Sequence, residues 1–170
     1  MSLAALLISC GSNPSKPVSE AAAPHQKKYT LAYIANVSVT LLVDNPDDRR
    51  LRDKRNFESR IPSLIKEKLQ EEGFTVLPEN PGTGNGLIAI NVKVKYDPGD
   101  RALRSVAGMF GVGKGTIEAY IEGIDQATGT VVASTTETNA KRTGGGNFYD
   151  MAEDTVQDAT DDLTQDLSNF

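Results

Sequence analysis

The stretch LIAINVKVKY, residues 87–96, decides the fold, because polar side chains alternate with an unbroken apolar series along it. Alternation of this kind is typical of a strand with one face in a core and the other face exposed. We therefore predict a strand whose apolar face is formed by Ile88, Ile90, Val92, Val94 and Tyr96. The sequence Asp-Pro-Gly-Asp at 97–100 then turns the chain.

Downstream of this strand, the alternation recurs. Residues 116–125 alternate again, Ala127-Thr128-Gly129 is typical of a hairpin turn, and residues 130–138 form the returning strand. A final helix is predicted over residues 149–167, where apolar side chains follow helical spacing: Ala152, Val156, Ala159, Leu163 and Leu167.

Upstream, residues 29–43 are β-branched and aromatic and predict a long strand. Phe57, Ile61, Leu64, Ile65 and Leu69 follow helical spacing up to Gly73, and Pro62 either begins the stable helix or kinks it. A short strand at 74–77 follows. The order β-α-β-β-β-β-α predicts an α+β fold with a mixed, largely antiparallel five-stranded sheet. Its two helices pack on one face, and the other face is open to water or a partner.

Composition limits the function. The chain has 170 residues and a net charge of -5, which argues against nucleic acid as a partner. One Cys and one His cannot form a disulfide or a His/Cys metal cluster. His25 lies outside the predicted elements, which leaves no base for a Ser/His/Asp site. We therefore predict a protein that is not an enzyme, with no catalytic residues, cofactor or metal.

The cysteine is the most informative residue. Leu7-Ile8-Ser9-Cys10 ends an apolar run that is too short to span a bilayer and is typical of the end of a secretory signal. The predicted division is a signal-peptide remnant at 1–9, a lipidated tether at 10–27 and a single domain at 28–170. The tether is rich in Gly, Ser, Pro and Ala, a composition that favours flexibility. No Lys or Arg precedes Cys10, so we expect the translation start to lie upstream; the alternative is a chance cysteine in an unstructured N-terminus.

Several motifs carry a family resemblance. Residues 7–10 resemble the bacterial lipobox, whose cysteine is acylated. Three further motifs contribute. A helix end precedes a strand at 64–74, a glycine-rich run precedes a strand at 111–115, and a hairpin is predicted at 125–132. The whole chain resembles small bacterial lipoproteins of unknown function, the YajG-like and related DUF-type families, whose domain is similar to the TolB N-terminal domain and the CsgG core. The resemblance implies lipidation at Cys10 and a cell-envelope location, and it implies no activity.

A glycine-rich loop is the main competing signal. Residues 108–116 nearly match the phosphate-binding pattern G-x-x-x-x-G-K-[ST]. However, Gly115 stands where the pattern requires Ser or Thr, and the loop precedes a strand instead of opening a helix. We interpret it as a connector.

Two charged clusters are candidate partner-binding sites. Basic residues gather at Arg49, Arg50 and Arg52; they either touch anionic headgroups or pair with nearby acids. In the last helix, Asp150, Asp154, Asp158, Asp162 and Asp166 recur every fourth residue, which indicates either a solvated face or a surface for a basic partner.

Two functions follow from these observations. The first is a membrane-anchored lipoprotein, on the outer membrane and facing the periplasm, that acts as a non-catalytic binding or assembly module for a periplasmic or outer-membrane protein. It predicts an apolar exposed patch of several hundred Å² on the open sheet face. The second is a small-ligand or nucleotide-binding protein that uses the Gly108–Thr116 loop.

Overall fold

The computed structural model describes residues 28–44, 46–99, 115–141 and 148–170. Its strands are β1 (Leu31–Leu41), β2 (Thr75–Leu77), β3 (Leu87–Asp97), β4 (Gly115–Asp125) and β5 (Thr130–Lys141). Its helices are α1 (Asp48–Glu71) and α2 (Phe148–Ser168). The predicted α+β class and element order are therefore confirmed.

The five strands form one mixed sheet in the order β2-β1-β3-β4-β5. Strand β1 runs parallel to both of its neighbours, β2 and β3, whereas β3-β4 and β4-β5 are antiparallel. It follows that β1, β2, β3 and β5 all point the same way and only β4 runs against them. This shared direction gives the sheet two distinct ends.

The helix α1 is longer than the sequence indicated. It begins at Asp48, where the Asp47 carboxylate caps the helix by accepting a hydrogen bond from the Arg50 backbone N–H at 2.8 Å. A single helix then passes through Pro62. The alternative in which the helix starts at Pro62 is wrong, because this cap and the buried side chain of Phe57 stabilise the turns before it.

Both helices cover the same face of the sheet and run in the same direction. Arg60 on α1 donates to Glu153 on α2, and Lys68 lies 3.0 Å from the Asp161 carboxylate. Both pairs span the same sequence offset of 93 residues, as expected of two parallel neighbouring helices. The helix pair therefore keeps one register along its length.

The core lies between this helix pair and the sheet. All five apolar residues predicted for β3 and all five predicted for α2 are buried there, which confirms both faces. They pack with Phe57, Ile61 and Ile65 of α1 and with Ile117 and Ile121 of β4. Most of the burial thus lies on one face of the sheet, and a second, smaller buried cluster of Tyr33, Leu87 and Ala89 lies on the other.

The described chain enters at one end of the sheet, here called the entry end. The Tyr29 hydroxyl donates to Asp125 Oδ2 at 2.9 Å, and the Ala127 N–H donates to Asp125 Oδ1 at 2.8 Å. The Tyr29 bond joins the start of the domain to the β4–β5 hairpin, whereas the Ala127 bond lies within the hairpin. The Ala127 bond and then the Tyr29 bond hold the pKa of Asp125 below its ordinary value. Phe170 packs edge-on against Tyr29 at 6.3 Å, so both ends of the domain meet here.

A substitution at Gly123, where α2 packs on the sheet, tests the packing of the core. A Cβ at this position would lie 3.3 Å from Ile88 Cγ2 and 3.7 Å from Leu167 Cδ2. We expect Gly123→Val to lower the free energy of unfolding by about 1–3 kcal/mol, because the added methyls overfill the contact between α2 and the sheet. Denaturant unfolding measures the difference.

The matched control is Gly84→Ala, whose Cβ would meet Leu87 at an ordinary 3.7 Å. Equal unfolding midpoints for Gly123→Val and this control would show that α2 does not pack on β4 as described.

Candidate functional site

The face of the sheet that carries no helix is polar over most of its length. The side chains of four neighbouring strands stand there in three rows of four. We call this set the polar face: Asn36, Asn91, Glu122 and Ser134; Ser38, Lys93, Tyr120 and Thr136; Thr40, Lys95, Glu118 and Thr138. All twelve are exposed or half-buried.

Hydrogen bonds along and across the strands organise the polar face. The Tyr120 hydroxyl donates to Glu122 Oε2 at 2.8 Å, and Asn91 Nδ2 donates to Glu122 Oε1 at 3.1 Å. The bond from Tyr120 and then that from Asn91 lower the pKa of Glu122, since both stabilise the carboxylate. Lys95 Nζ lies 2.6 Å from Glu118 Oε1 in the next row. These groups therefore satisfy one another.

The expectation of an apolar patch on this face is wrong. Among the described residues, the exposed large apolar side chains are Leu42, Val131 and Phe170, and none of them belongs to the polar face. Apolar residues do occur on this side near the entry end, but Tyr33, Leu87 and Ala89 are buried there. Binding on this face would have to use hydrogen bonds and charge.

The sheet also has two edges without a neighbouring strand among the described residues. All of β5 is an edge, 12 residues long. At the opposite side, β2 covers β1 only along Leu31–Tyr33. Beyond that point, the Val39 N–H donates to a side chain and not to a neighbouring strand. Its acceptor is Glu58 Oε1 of α1, at 3.3 Å.

The predicted acidic residues of α2 flank the β5 edge. The side chains of Asp154, Asp158 and Asp162 are exposed. Glu137 of β5 points to the same side of the sheet as α2 and faces Asp162 and Asp158. Burial, followed by Asp162 and Asp158, raises the pKa of Glu137, because each disfavours its ionised form. Three carboxylates therefore share this flank.

The predicted basic residues lie at the other end of the sheet from the chain entry. Helix α1 begins after β1 has run the length of the sheet, so Arg49, Arg50 and Arg52 are at the far end. Arg49 forms an ion pair with Asp53 at 3.9 Å. The structure pairs neither Arg50 nor Arg52 with any described carboxylate. These arginines lie at the opposite end of the sheet from Lys28, where the described chain begins.

Sequence reasoning missed Glu137 and Asp125. A β-bulge interrupts the β4–β5 pairing between Gly123 and Ile124, and it sets which side chains of β5 face the helices. The alternation of β5 in the sequence does not show this shift. The signal for Asp125 was its place at the start of the predicted 125–132 hairpin, where an aspartate side chain commonly accepts from the backbone N–H two residues on.

Cys10 and most of the Gly108–Thr116 loop lie outside the described residues. Within the described ranges, no group of three or more His, Cys, Asp or Glu side chains could hold a metal. Neither described helix is long and apolar enough to cross a membrane.

The fold is shared with solved structures. The PelC dodecamer from Paraburkholderia phytofirmans matches with a TM-score of 0.51 and 16% identity, over 84% of this chain and 95% of that chain. Lipoprotein GNA1162 from Neisseria meningitidis matches with a TM-score of 0.43 and 12% identity, over 76% of this chain and 96% of that chain. At these identities the likeness is one of fold.

The family follows from the sequence. Residues 37–145 match the family described as Domain of unknown function (DUF4410), which is more than half of the chain, and the chain belongs to this family. No curated protein matches it. The resemblance to small bacterial lipoproteins of unknown function is thus confirmed in family and fold.

Glu137 provides a pH test of the acidic flank. Its raised pKa means that the folded state binds this proton more tightly than the unfolded chain does. The folded state is therefore penalised above the folded pKa, and the penalty is relieved as pH falls through it. We expect Glu137→Gln to be more stable than the wild type at pH 7, with the difference shrinking toward pH 4–5, as measured by denaturant unfolding at each pH.

Glu118→Gln is the matched control, since Glu118 pairs with Lys95 and lies away from the acidic flank. A Glu137→Gln variant that is less stable than the wild type at pH 7 would contradict the repulsion.

Proposed function

We propose that this chain is a lipid-anchored module of the bacterial cell envelope, held to the outer membrane through Cys10 and facing the periplasm. In this role it acts without catalysis, as a binding or assembly domain. The sequence Leu7-Ile8-Ser9-Cys10 supports the anchor, and the separation of the two ends of the sheet supports the role.

The position of Lys28 is the observation that carries the proposal. It lies at the entry end, where its Nζ is 4.8 Å from the Tyr29 ring centroid and 3.9 Å from Asp125 Oδ2. Strand β1 then carries the chain away for 11 residues, about 36 Å at the usual rise of about 3.3 Å per residue. A lipid attached upstream of Lys28 therefore leaves the far end directed away from the membrane.

The polar face and the two strand edges support a binding role. They extend along the sheet beyond the entry end and are not covered by the helices. The Glu122 carboxylate on the polar face already has two donors, Tyr120 and Asn91, so it is engaged structurally instead of being poised for proton transfer. The solved PelC structure is a dodecamer, so this fold occurs in an assembly of many copies.

Nothing favours the nucleotide-binding alternative. Of the Gly108–Thr116 loop, the structure describes Gly115 and Thr116, and both belong to β4. The glycine-rich run therefore leads into a strand, whereas a phosphate loop places its glycines at the start of a helix.

Lipidation is tested by expressing the full upstream reading frame in a bacterium, beside Cys10→Ala. We expect the wild-type protein to be cut before Cys10, to gain acyl mass and to enter the detergent phase, because several acyl chains on one residue anchor firmly. Intact mass and detergent partitioning measure this.

Gly11→Asp is the matched control for location. It should keep the acyl mass and move to the inner-membrane fraction, since an Asp after the cysteine favours retention there in enterobacterial lipoproteins. If the wild type is unprocessed and soluble, the anchor and the proposed function fail together.

A further inference from the structure

We infer that copies of this chain assemble head to tail, with the outer edge of β5 in one copy beside the uncovered edge of β1 in the next copy. This rests on the proposed function in one respect, that all copies are anchored in the same membrane.

The two edges can pair with each other through their backbone N–H and C=O groups. Within the described ranges, no strand pairs with the outer side of β5 or with β1 beyond Tyr33, which leaves a row of backbone N–H and C=O groups along each. Such rows of N–H and C=O groups are templates for pairing with another strand. Among the described residues, the bond from the Val39 N–H to Glu58 satisfies part of the β1 edge. Each copy therefore has one edge of each kind.

The flanks of the two edges carry opposite charge. Beside β5 stand Glu137, Asp158 and Asp162, and α2 contains no Lys or Arg at all. Beside the β1 edge, Glu58 shares its flank of α1 with Lys54 and Arg55, four and three residues earlier. Lys54 is bonded to Glu58, while Arg55 is exposed and has no ion pair with a described residue.

A contact between these flanks would place Arg55 near acids that repel one another in the single copy. The ionised carboxylate of the half-buried Glu137 is stabilised most, because a cation from the next copy offsets the charges of Asp158 and Asp162. Repulsion between like charges disfavours a contact of β5 with β5, because that contact would bring six carboxylates together. Charge therefore selects the contact between unlike edges.

Strand direction selects the same contact. Because β1 and β5 point the same way within a copy, a parallel pairing of β5 with the next β1 keeps every entry end on one side. All lipid anchors then reach one membrane. An antiparallel β5–β5 pair would put the two entry ends at opposite ends. A head-to-tail contact repeats, and it closes into a ring where the rotation allows.

Disulfide cross-linking in intact cells tests the contact. Thr40 of β1 and Thr138 of β5 lie in the same row of the polar face, and both are exposed. Neighbouring copies should bring these positions within the roughly 7 Å between Cα atoms that a disulfide requires. We expect the double variant Thr40→Cys/Thr138→Cys to give a ladder of dimers and larger species on oxidation. Ser38→Cys/Thr138→Cys covers a register that is shifted by two residues.

Each single variant should remain monomeric, because an unlike-edge contact never brings two copies of one position together. Ser63→Cys/Thr138→Cys is the control, since Ser63 is exposed on α1 and belongs to neither edge. A dimer from Thr138→Cys alone would overturn the inference in favour of a two-fold contact. No ladder from either double variant in a protein that is still acylated would also overturn it and leave the proposed function standing.

A charge exchange separates the contact from a folding effect. In the Thr40→Cys/Thr138→Cys background, Arg55→Glu and Asp158→Lys should each abolish the ladder, and the two together should restore it. Loss in both single exchanges without restoration in the combined variant would show that Arg55 does not face the acidic flank.

Discussion

The structure depends on a core that lies mainly on one face of the sheet. Two helices of opposite charge lie parallel on that face, with their apolar stripes against β3 and β4. Arg60–Glu153 and Lys68–Asp161 align them at one constant offset. These exposed pairs contribute little energy each, whereas the apolar contact beneath them supplies most of the stabilisation. Everything that the helices leave uncovered, the polar face and two edges, becomes surface.

This arrangement relates the fold to its proposed location. The bond between Asp125 and Tyr29 ties the start of the domain to the β4–β5 hairpin, so the chain enters at a fixed point. The strands that follow share one direction, with β4 the exception. Under the proposed anchoring, the tether joins the domain at the entry end, so the basic start of α1 lies at the end of the sheet farthest from the attachment point.

The sequence was sufficient for the core because burial there follows simple periods. Residues 87–96 alternate and the α2 residues recur at helical spacing, so the inward faces could be assigned without coordinates. It was insufficient at Pro62, where an N-terminal cap and the buried Phe57 outweigh the local cost of proline. The helix propensity of the residues around Pro62 does not include the stabilisation from this cap and from the burial of Phe57.

The candidate site was less predictable for the same reason. The acids of α2 could be placed on one face, but their neighbour Glu137 depends on a bulge that changes the phase of β5. The open face was expected to be apolar, yet Tyr120, Asn91 and Glu122 satisfy one another across strands. Cross-strand partners depend on register, which a single sequence does not specify.

The central claim is that the entry end faces the membrane and the far end faces away. It is tested most directly by attaching a fluorophore to the acylated protein in vesicles, through Thr128→Cys at the β4–β5 hairpin or Arg52→Cys near the start of α1, and measuring quenching by a headgroup-labelled lipid. The account predicts markedly stronger quenching at position 128 than at position 52, since the sheet separates the two ends by about 36 Å. Equal quenching, or stronger quenching at position 52, would contradict it.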